Sequence, residues 1–262
     1  MIRVLIVLLL LLATACTETR VVRVCADPNN LPFSNQAGEG FENRIAELLA
    51  NDRGARLQYT WWAQRRGFVR NTLQAGACDV IIGVPTDFTL ARTTRRYYQS
   101  SYVFVSRRDR QLHLRSLDDP RLAQFRIGVQ MIGDDAANSP PAHALAARGI
   151  LNVVGYSVYG DYSQPSPLST IVAAVDRGTV DAAVVWGPAA AHGHRNVEHE
   201  GQRWPVGARR YRRHVQRVRC GSREIRRGDT QLAATLDDFI VRRRGDIDGI
   251  LADYGVPRVE EE

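Results

Sequence analysis

The apolar positions of the chain alternate between two spacings, one typical of buried strands and one typical of amphipathic helices. A short apolar strand is predicted at 22–26, and helical spacing follows it. A second strand at 57–61, a helix ending at Gly76 and a fully apolar strand at 80–84 complete the unit. The first helical stripe consists of Phe41, Ile45, Leu48 and Leu49. This β-α-β-α-β order predicts a parallel sheet covered on both faces.

The same order recurs further along the chain. Strands are predicted at 126–130 and 151–159, a helical stripe follows, and an apolar strand at 181–186 ends before Gly187 and Pro188. In both units a Gly-x-x-Asp element precedes the third strand, at 76–79 and at 178–181. We therefore predict an α/β protein of two lobes, each a mostly parallel sheet with flanking helices, separated by a cleft.

The connections between the units predict how the lobes share the chain. The extended apolar segment 100–109 is predicted to cross between the lobes as a hinge strand. Two C-terminal helical stripes are most economically packed back on the first lobe. Lobe 1 is thus predicted to comprise 20–109 and 218–262, and lobe 2 to comprise 110–217.

The first residues predict export. Arg3 precedes an apolar run at 4–13 that is too short to span a bilayer and fits a secretory signal at 1–15. Ala13-Thr14-Ala15 has the small-x-small pattern of a signal cleavage site, and Cys16 follows it directly. A bacterial lipoprotein would be lipidated at that cysteine; a chance cysteine after an ordinary signal is the alternative. We expect a periplasmic protein, either soluble or tethered to the membrane by a lipid anchor.

Export permits disulfides, and three cysteines follow Cys16. Cys25 lies on the first strand and Cys78 opens another, so the two could bridge neighbouring strands; two buried free thiols are the alternative. No cysteine or histidine spacing indicates a metal site. No catalytic triad, carboxylate pair or phosphate loop stands out. We expect neither an enzyme nor a cofactor.

The net charge of +7 is concentrated in one part of the chain, and all 35 basic residues are arginine. Eleven arginines and three glutamates lie between Ala189 and Arg227, so the remainder is nearly neutral and a nucleic-acid partner is not expected. The segment 189–224 also has almost no hydrophobic periodicity. It is either a frame-shifted stretch of coding sequence or a basic arm for an acidic partner or anionic lipid.

The ends of the predicted strands supply the candidate site. Ligands of open α/β sheets lie outside the carboxyl ends of the strands, and four such ends carry turn-forming residues here. Two facing lobes would bring these ends to one cleft, with aromatic walls and neutral hydrogen-bonding groups, although core packing is the alternative for the aromatics. The candidate cleft residues are Asn29, Asn30, Phe33, Trp61, Gly83, Val84, Arg92, Tyr98, Gly133, Asp134 and Trp186.

Several separated stretches carry a resemblance to a known family. They are "RVCADPNNLPFSNQAGEGFENRIAELLA", "YTWWAQRRGFVRNTL", "CDVIIGVP", "TTRRYYQSSYVFV" and "IRRGD…LADYGVP". The layout is similar to the type II periplasmic solute-binding proteins of ABC importers. More narrowly, it resembles the binding-protein-like subfamily encoded with bacterial PQQ-dependent methanol dehydrogenases. The resemblance implies a two-lobed periplasmic protein that is not itself an enzyme and that assists maturation or activity of the dehydrogenase.

The chain departs from amino-acid receptors of this fold at both ends of the ligand clamp. Those receptors carry a Thr-x-Glu-Arg-like element whose Arg grips the ligand carboxylate. Here the Glu is absent, and Arg92, Arg95 and Arg96 replace the element only loosely. The usual Asp after the last strand of lobe 2 is replaced by Gly187 and Pro188. We therefore predict a protein partner, the dehydrogenase; the alternative is a receptor that delivers a small polar ligand to an ABC importer.

Overall fold

The structure, a computed structural model, describes residues 20–65, 67–85, 90–132, 137–157, 162, 166–191, 197–200, 220–225 and 230–258. The predictions for the signal segment, for Cys16, for Gly133 and Asp134, and for most of the Arg-rich segment lie outside these residues. Within the described residues the chain forms two α/β lobes, each around its own sheet.

The lobe 1 sheet has five strands and a small hairpin at its mouth. The strands are β1 (Val21–Ala26), β4 (Arg56–Trp61), β5 (Val80–Pro85), β6 (Arg92–Thr93) and β13 (Cys220–Ile225), and the hairpin is β2 (Asn29–Asn30) with β3 (Ser34–Asn35). Their order is β4-β1-β5-β13-β6. Strand β1 pairs in parallel with β4 and β5, and β13 runs antiparallel to β5.

The lobe 2 sheet repeats this plan. Its strands are β7 (Tyr102–Arg107), β8 (Ile127–Ile132), β9 (Ala137–Asn138), β10 (Val153–Ser157), β11 (Ala182–Trp186) and β12 (Val197–Glu200). The order is β10-β8-β11-β7-β12, and β9 pairs with β8. Strand β8 is parallel to β10 and β11, and β7 runs antiparallel to β11. The predicted repeat of two mostly parallel sheets is confirmed.

Helices cover both sheets. They are α1 (Phe41–Asp52), α2 (Phe68–Asn71), α3 (Pro140–Ala146), α4 (Ser169–Asp176), α5 (Gly187–Ala190), α6 (Thr230–Arg242) and α7 (Arg244–Asp253), with 3₁₀ turns at Arg108–Arg110 and Pro120–Gln124. Helix α2 ends before the predicted Gly76. The Thr72 hydroxyl donates to the Phe68 carbonyl at 2.6 Å, a bond that competes with helical geometry.

Equivalent glycines end the second helical segment of each lobe. Gly76 and Gly178 adopt φ of +76° and +72°, a conformation that glycine reaches without steric cost. In each lobe the following amide closes the turn: Ala77 N–H donates to the Thr72 carbonyl and Thr179 N–H donates to the Ala174 carbonyl. The shared Gly-x-x-Asp element therefore positions the third strand in both lobes.

Side chains alternate between the two faces of each sheet and build separate cores. In lobe 1, Val22 and Val24 point toward α1, α6 and α7, and Cys25 and Ile81 point toward α2. In lobe 2 the adjacent residues Val103 and Phe104 of β7 enter opposite cores. This burial of both faces is typical of sheets with parallel strands.

The crossing between the lobes lies just before β7. Because β7 pairs with β11 of the second sheet, the chain leaves lobe 1 before Tyr102, which is earlier than the boundary predicted at residue 109. The Gly187 N–H donates to the Ser101 carbonyl at 2.9 Å, and the Ser100 hydroxyl donates to the Pro257 carbonyl at 2.6 Å. The crossing is thus tied to α5 of lobe 2 and to the end of the C-terminal helices.

The predicted disulfide is present. Cys25 on β1 and Cys78, two residues before β5, are bonded, with Cα atoms 5.6 Å apart. Both cysteines are buried in the α2 face of the lobe 1 core. Cys220 falls at the start of β13, and its side chain lies outside the described residues.

Candidate functional site

The mouth of β1 is organised around the carboxylate of Asp27, which is 2% exposed. Asn29 N–H donates to Asp27 Oδ1 at 2.8 Å, and Gln64 N–H donates to Oδ2 at 2.7 Å. The Ser34 hydroxyl donates to the Asp27 carbonyl oxygen at 2.9 Å. Because the two carboxylate oxygens accept from residues that follow different strands, Asp27 fixes the segments after β1 and β4 relative to each other.

The hairpin after β1 is joined to α1 by Asn43, which is buried. Asn43 Oδ1 accepts from the N–H groups of Asn35 and Gly40, at 3.0 and 3.1 Å. Asn43 Nδ2 donates to the Tyr59 hydroxyl at 3.2 Å, and burial raises the pKa of Tyr59 to about 12. These bonds hold Asn29, Asn30 and Phe33 in place at the edge of lobe 1.

Lobe 2 contacts this mouth directly. The Tyr162 hydroxyl donates to Asp27 Oδ2 at 2.5 Å, and Ser166 N–H donates to Asn29 Oδ1 at 3.1 Å. The Arg65 guanidinium lies over the Tyr162 ring, 4.9 Å from its centroid, a cation–π contact. Asn30 stays within lobe 1, where its amide donates to Gln64 Oε1 at 3.1 Å.

Phe33 lies between the two lobes. Its half-buried ring packs against the α1 face of the lobe 1 core, with the Phe41 centroid 5.3 Å away, and also against the lobe 2 core that contains Val103 and Leu168. Cleft wall and core were the two alternatives for this residue. Phe33 combines them, because it is the apolar contact shared by both cores.

A second carboxyl group lies close to Asp27. Glu42, in the first turn of α1, packs against Gly83 so closely that a Cβ added there would be 1.8 Å from Glu42 Oε1. Gly83 has a φ of +81°, which also favours glycine. Burial raises the pKa of the Glu42 carboxyl well above its usual range, and the nearby Asp27 charge raises it further.

These two carboxyl groups line a small cavity at the carboxyl ends of β1 and β5. Its walls are Val24, Cys25, Ala26, Asp27, Ser34, Glu42, Asn43, Tyr59, Gln64, Phe68, Ile81 and Ile82. The enclosed space is about that of a single water molecule. No arginine is among these described lining residues, so the walls combine apolar side chains with two carboxyl groups and neutral polar groups.

Aromatic side chains form the rim of lobe 1 at the end of β4. Trp61 stacks on Tyr59 with the ring centroids 4.4 Å apart, and Trp62 is 45% exposed. Trp62 N–H donates to the Ala26 carbonyl, which places this tryptophan beside the end of β1. One tryptophan is thus packed and the other is largely free, as expected for consecutive strand residues that face opposite ways.

The other predicted site residues that the structure describes do not line this cavity. Val84 is buried in the α2 face of the lobe 1 core, because the left-handed conformation of Gly83 interrupts the alternation of β5. Tyr98 is buried in the opposite core, edge-on to Phe41. Arg92 is exposed on the outermost strand, β6. Trp186 packs edge-on against Tyr102, with the ring centroids 5.3 Å apart.

Sequence reasoning missed Asp27, Glu42, Gln64 and Tyr162. It considered the carboxyl ends of β1, β5, β8 and β11, and Trp61 at the end of β4, but not the residues that follow β4 and β10. Gln64 follows β4 and Tyr162 follows β10, so the same rule applied to every strand would have found both. Asp27, two residues before the amide it accepts from, has the spacing of an Asx turn.

The described part of the chain offers neither a cluster of metal ligands nor a helix suited to a membrane. Among the described residues, no group of three or more histidine, cysteine or carboxylate side chains is placed to hold a metal ion. Across the same residues, every helix falls short of the length and apolar character that a membrane span requires.

Comparison with known proteins defines the class. No known family model matches the chain. An ancestral cationic amino acid solute-binding protein shares its fold with a TM-score of 0.66 at 18% identity, covering 89% of this chain and 95% of that one. The chain has the two-lobed fold of type II periplasmic binding proteins, as predicted.

Two relatives narrow this class. The crystal structure of the periplasmic binding protein XoxJ from Methylobacterium extorquens AM1 gives a TM-score of 0.71 at 29% identity, covering 92% of this chain and 100% of that one. Protein MoxJ of Methylorubrum extorquens is 29% identical over 248 residues, which are 92% of this chain and 82% of that protein. The chain thus resembles the binding-protein-like subfamily associated with PQQ-dependent methanol dehydrogenases, and such relatives imply a periplasmic location.

Proposed function

We propose that this chain is a non-catalytic periplasmic accessory factor that assists maturation or activation of a PQQ-dependent methanol dehydrogenase, and that it holds a segment of that enzyme in its inter-lobe cleft. The similarity to MoxJ and XoxJ supports the part of this proposal that assigns the chain to a methanol dehydrogenase system. The observation that carries the proposal is the chemistry of the β1 mouth, which is acidic and aromatic.

Acidic walls are unsuited to a free amino acid. A receptor for amino acids needs a cation for the α-carboxylate, and a bidentate arginine is the usual choice. Asp27 and Glu42 instead present two carboxyl groups, and Arg92 is exposed at the far edge of the sheet. A carboxylate placed in this mouth would meet the buried Asp27 carboxyl group, whose oxygens already accept from Asn29, Gln64 and Tyr162, and no cation among the described lining residues would offset it.

Aromatic groups suit a protein segment. Interfaces between proteins are anchored by a few large aromatic side chains near their centre. Phe33 lies between the lobes and Trp62 is 45% exposed at the rim beside them. A peptide segment of the dehydrogenase that spans from this rim toward Phe33 would bury both rings.

The test is a binding measurement between the exported chain and purified PQQ-dependent methanol dehydrogenase. We expect Trp62→Ala to weaken binding at least about tenfold, because truncation of an aromatic anchor removes its buried contacts. The matched control is Leu151→Ala. Leu151 is also apolar and is 81% exposed, but it precedes β10 and therefore lies at the amino-terminal edge of its sheet, away from the mouth.

Two results would contradict the proposal. One is equal binding by the wild type and both variants. The other is absence of any association with the dehydrogenase combined with micromolar binding of a free amino acid in calorimetry. The second result would favour a solute receptor for an importer.

A further inference from the structure

The two lobes are joined across the cleft by contacts that the chain makes with itself. Tyr162, which follows β10 in the chain, donates to Asp27 Oδ2, and its ring is covered by Arg65 of lobe 1. Four residues further along, Ser166 N–H donates to Asn29 Oδ1. Each of these contacts pairs one residue from each lobe, so all of them must break if the lobes separate.

We propose that Tyr162 is an internal latch that holds the cleft closed in the free protein. The closure is a property of the chain alone. Its consequence, that a partner segment must displace Tyr162 from Asp27 before it enters the cleft, rests on the proposed function.

The geometry of Asp27 explains why the latch has a defined position. The amides of Asn29 and Gln64 already bind the two carboxylate oxygens at 2.8 and 2.7 Å and fix the plane of the group. A remaining acceptor site on Oδ2 then receives the Tyr162 hydroxyl. A hydrogen bond to a charged acceptor is stronger than a neutral one, and burial strengthens it further. Burial and this bond both raise the pKa of the Tyr162 hydroxyl.

Ser166 is held from both lobes: its carbonyl accepts from the Ser169 N–H and hydroxyl at 2.9 and 2.7 Å, and its N–H donates across the cleft to Asn29 Oδ1. It has a φ of +51°, an unusual value for a residue with a side chain. Its hydroxyl is buried and has no hydrogen-bond partner among the described residues. Both features are unfavourable and persist only where the surroundings determine the conformation. The bonds from Ser169 within lobe 2 and the bond to Asn29 across the cleft together supply that constraint.

The latch is tested by hydrogen exchange in the free protein, without any partner. The Ser166 amide is bonded across the cleft, so its exchange reports opening. We expect Tyr162→Phe to speed exchange of this amide on the order of tenfold to a hundredfold, the equivalent of one charge-assisted hydrogen bond. The Thr179 amide, bonded to Ala174 within lobe 2, should keep its rate.

The matched control is Tyr254→Phe. The Tyr254 hydroxyl donates to the Glu39 carbonyl at 2.5 Å, the same length as the Tyr162 bond, but both residues belong to lobe 1. This variant should leave the exchange rate of Ser166 unchanged. Faster exchange at Thr179 in Tyr162→Phe would mean that this variant is destabilised as a whole. Arg65→Met is then used in its place, because the Arg65 substitution removes the cation–π contact and leaves Asp27 intact.

The proposal is overturned if the Ser166 amide of the wild type exchanges as fast as an unprotected amide. It is also overturned if neither Tyr162→Phe nor Arg65→Met accelerates that exchange. A binding measurement separates the latch from the proposed function. If the partner enters through the cleft, release of the latch should raise the affinity for the dehydrogenase by the same factor by which it speeds exchange of the Ser166 amide. Faster exchange without tighter binding would support the latch and contradict partner entry through the cleft.

Discussion

Lobe 1 and lobe 2 have the same strand plan but different side chains at the cleft. Lobe 1 contains the Cys25–Cys78 disulfide and an aromatic core around Phe41, Tyr97 and Phe239. Residues 110–217 contain no cysteine, and the lobe 2 core that touches Phe33 is aliphatic, built from Val, Ile, Leu and Ala. The shared topology positions the cleft, whereas its polar and aromatic chemistry belongs mainly to lobe 1. We infer that lobe 1 is the recognition platform and that lobe 2 closes over it.

The equivalent positions of the two lobes show how far the likeness extends. Asp79 and Asp181 follow equivalent glycines, and their N–H groups donate to the carbonyls of Arg23 and Arg126, at 3.0 and 2.9 Å. Each carboxylate also pairs with an arginine, Asp79 with Arg23 and Asp181 with Arg110. The backbone at this element is thus repeated in both lobes, whereas the side chains at the cleft differ.

Removal of the disulfide should have the largest effect and should be confined to lobe 1. The bond closes a loop with a sequence separation of 53, for which the chain-entropy estimate is about 4 kcal/mol of stability. We expect the double variant Cys25→Ala/Cys78→Ala to unfold in denaturant at a lower midpoint for lobe 1 signals, with lobe 2 signals little changed. Cys220→Ala is the control. Equal loss in both lobes would show that the lobes unfold as one unit.

Replacement of Gly83 should separate steric contact from backbone strain. An added Cβ would collide with Glu42 Oε1, and the φ of +81° is unfavourable for alanine. We expect Gly83→Ala to cost more than about 2 kcal/mol of the free energy of unfolding, because strain and overlap add.

The control for this prediction is Gly149→Ala in lobe 2. Gly149 has a φ of +72° but nothing within 4 Å of the added Cβ, so only the strain of about 1 kcal/mol should remain. The additional Glu42→Ala substitution should recover part of the loss in Gly83→Ala. Equal costs at Gly83 and Gly149 would mean that Glu42 moves aside freely.

Ionisation of Glu42 should give a smaller, pH-dependent effect. Its folded-state pKa is raised, so as the pH rises above its usual value of 4.5 the unfolded chain releases this proton first. Stability from this group is therefore fully present below that pH and is lost as the pH rises toward the folded pKa, by at most about 1.4 kcal/mol per pH unit. Glu42→Gln should remove this fall in the free energy of unfolding. The measurement is denaturant unfolding from about pH 4 to about pH 8. Glu39→Gln, at an exposed carboxyl, is the control; an unchanged pH profile for Glu42→Gln would contradict the assignment.

Much of the fold could be predicted because local signals agree with the tertiary structure. The apolar strands, the glycines after the helices and the repeated Gly-x-x-Asp element all depend on neighbouring residues. The disulfide could be predicted because Cys25 and Cys78 lie on or next to adjacent strands. The lobe boundary was harder to predict, since the sequence of a single extended strand such as β7 does not indicate which of the two sheets contains it.

The site could be predicted only in part, because pairing across the cleft depends on residues far apart in the chain. The strand-end rule led to Phe33 and Asn29, and the structure places both in contact with lobe 2. Tyr162 contacts Asp27, 135 positions earlier, and no local pattern marks that pairing. Val84 was misplaced because a single left-handed glycine before it reverses the face on which it lies.

The most direct test of the central claim is site-specific photocrosslinking to the dehydrogenase. An aromatic photoreactive residue in place of Trp62, at the lobe 1 rim, keeps a ring at this position and should capture a defined peptide of PQQ-dependent methanol dehydrogenase. The same residue in place of Leu151, at the opposite edge of lobe 2, should capture none. Capture from position 151 but not from position 62, or capture from neither, would contradict partner recognition at the aromatic mouth of lobe 1.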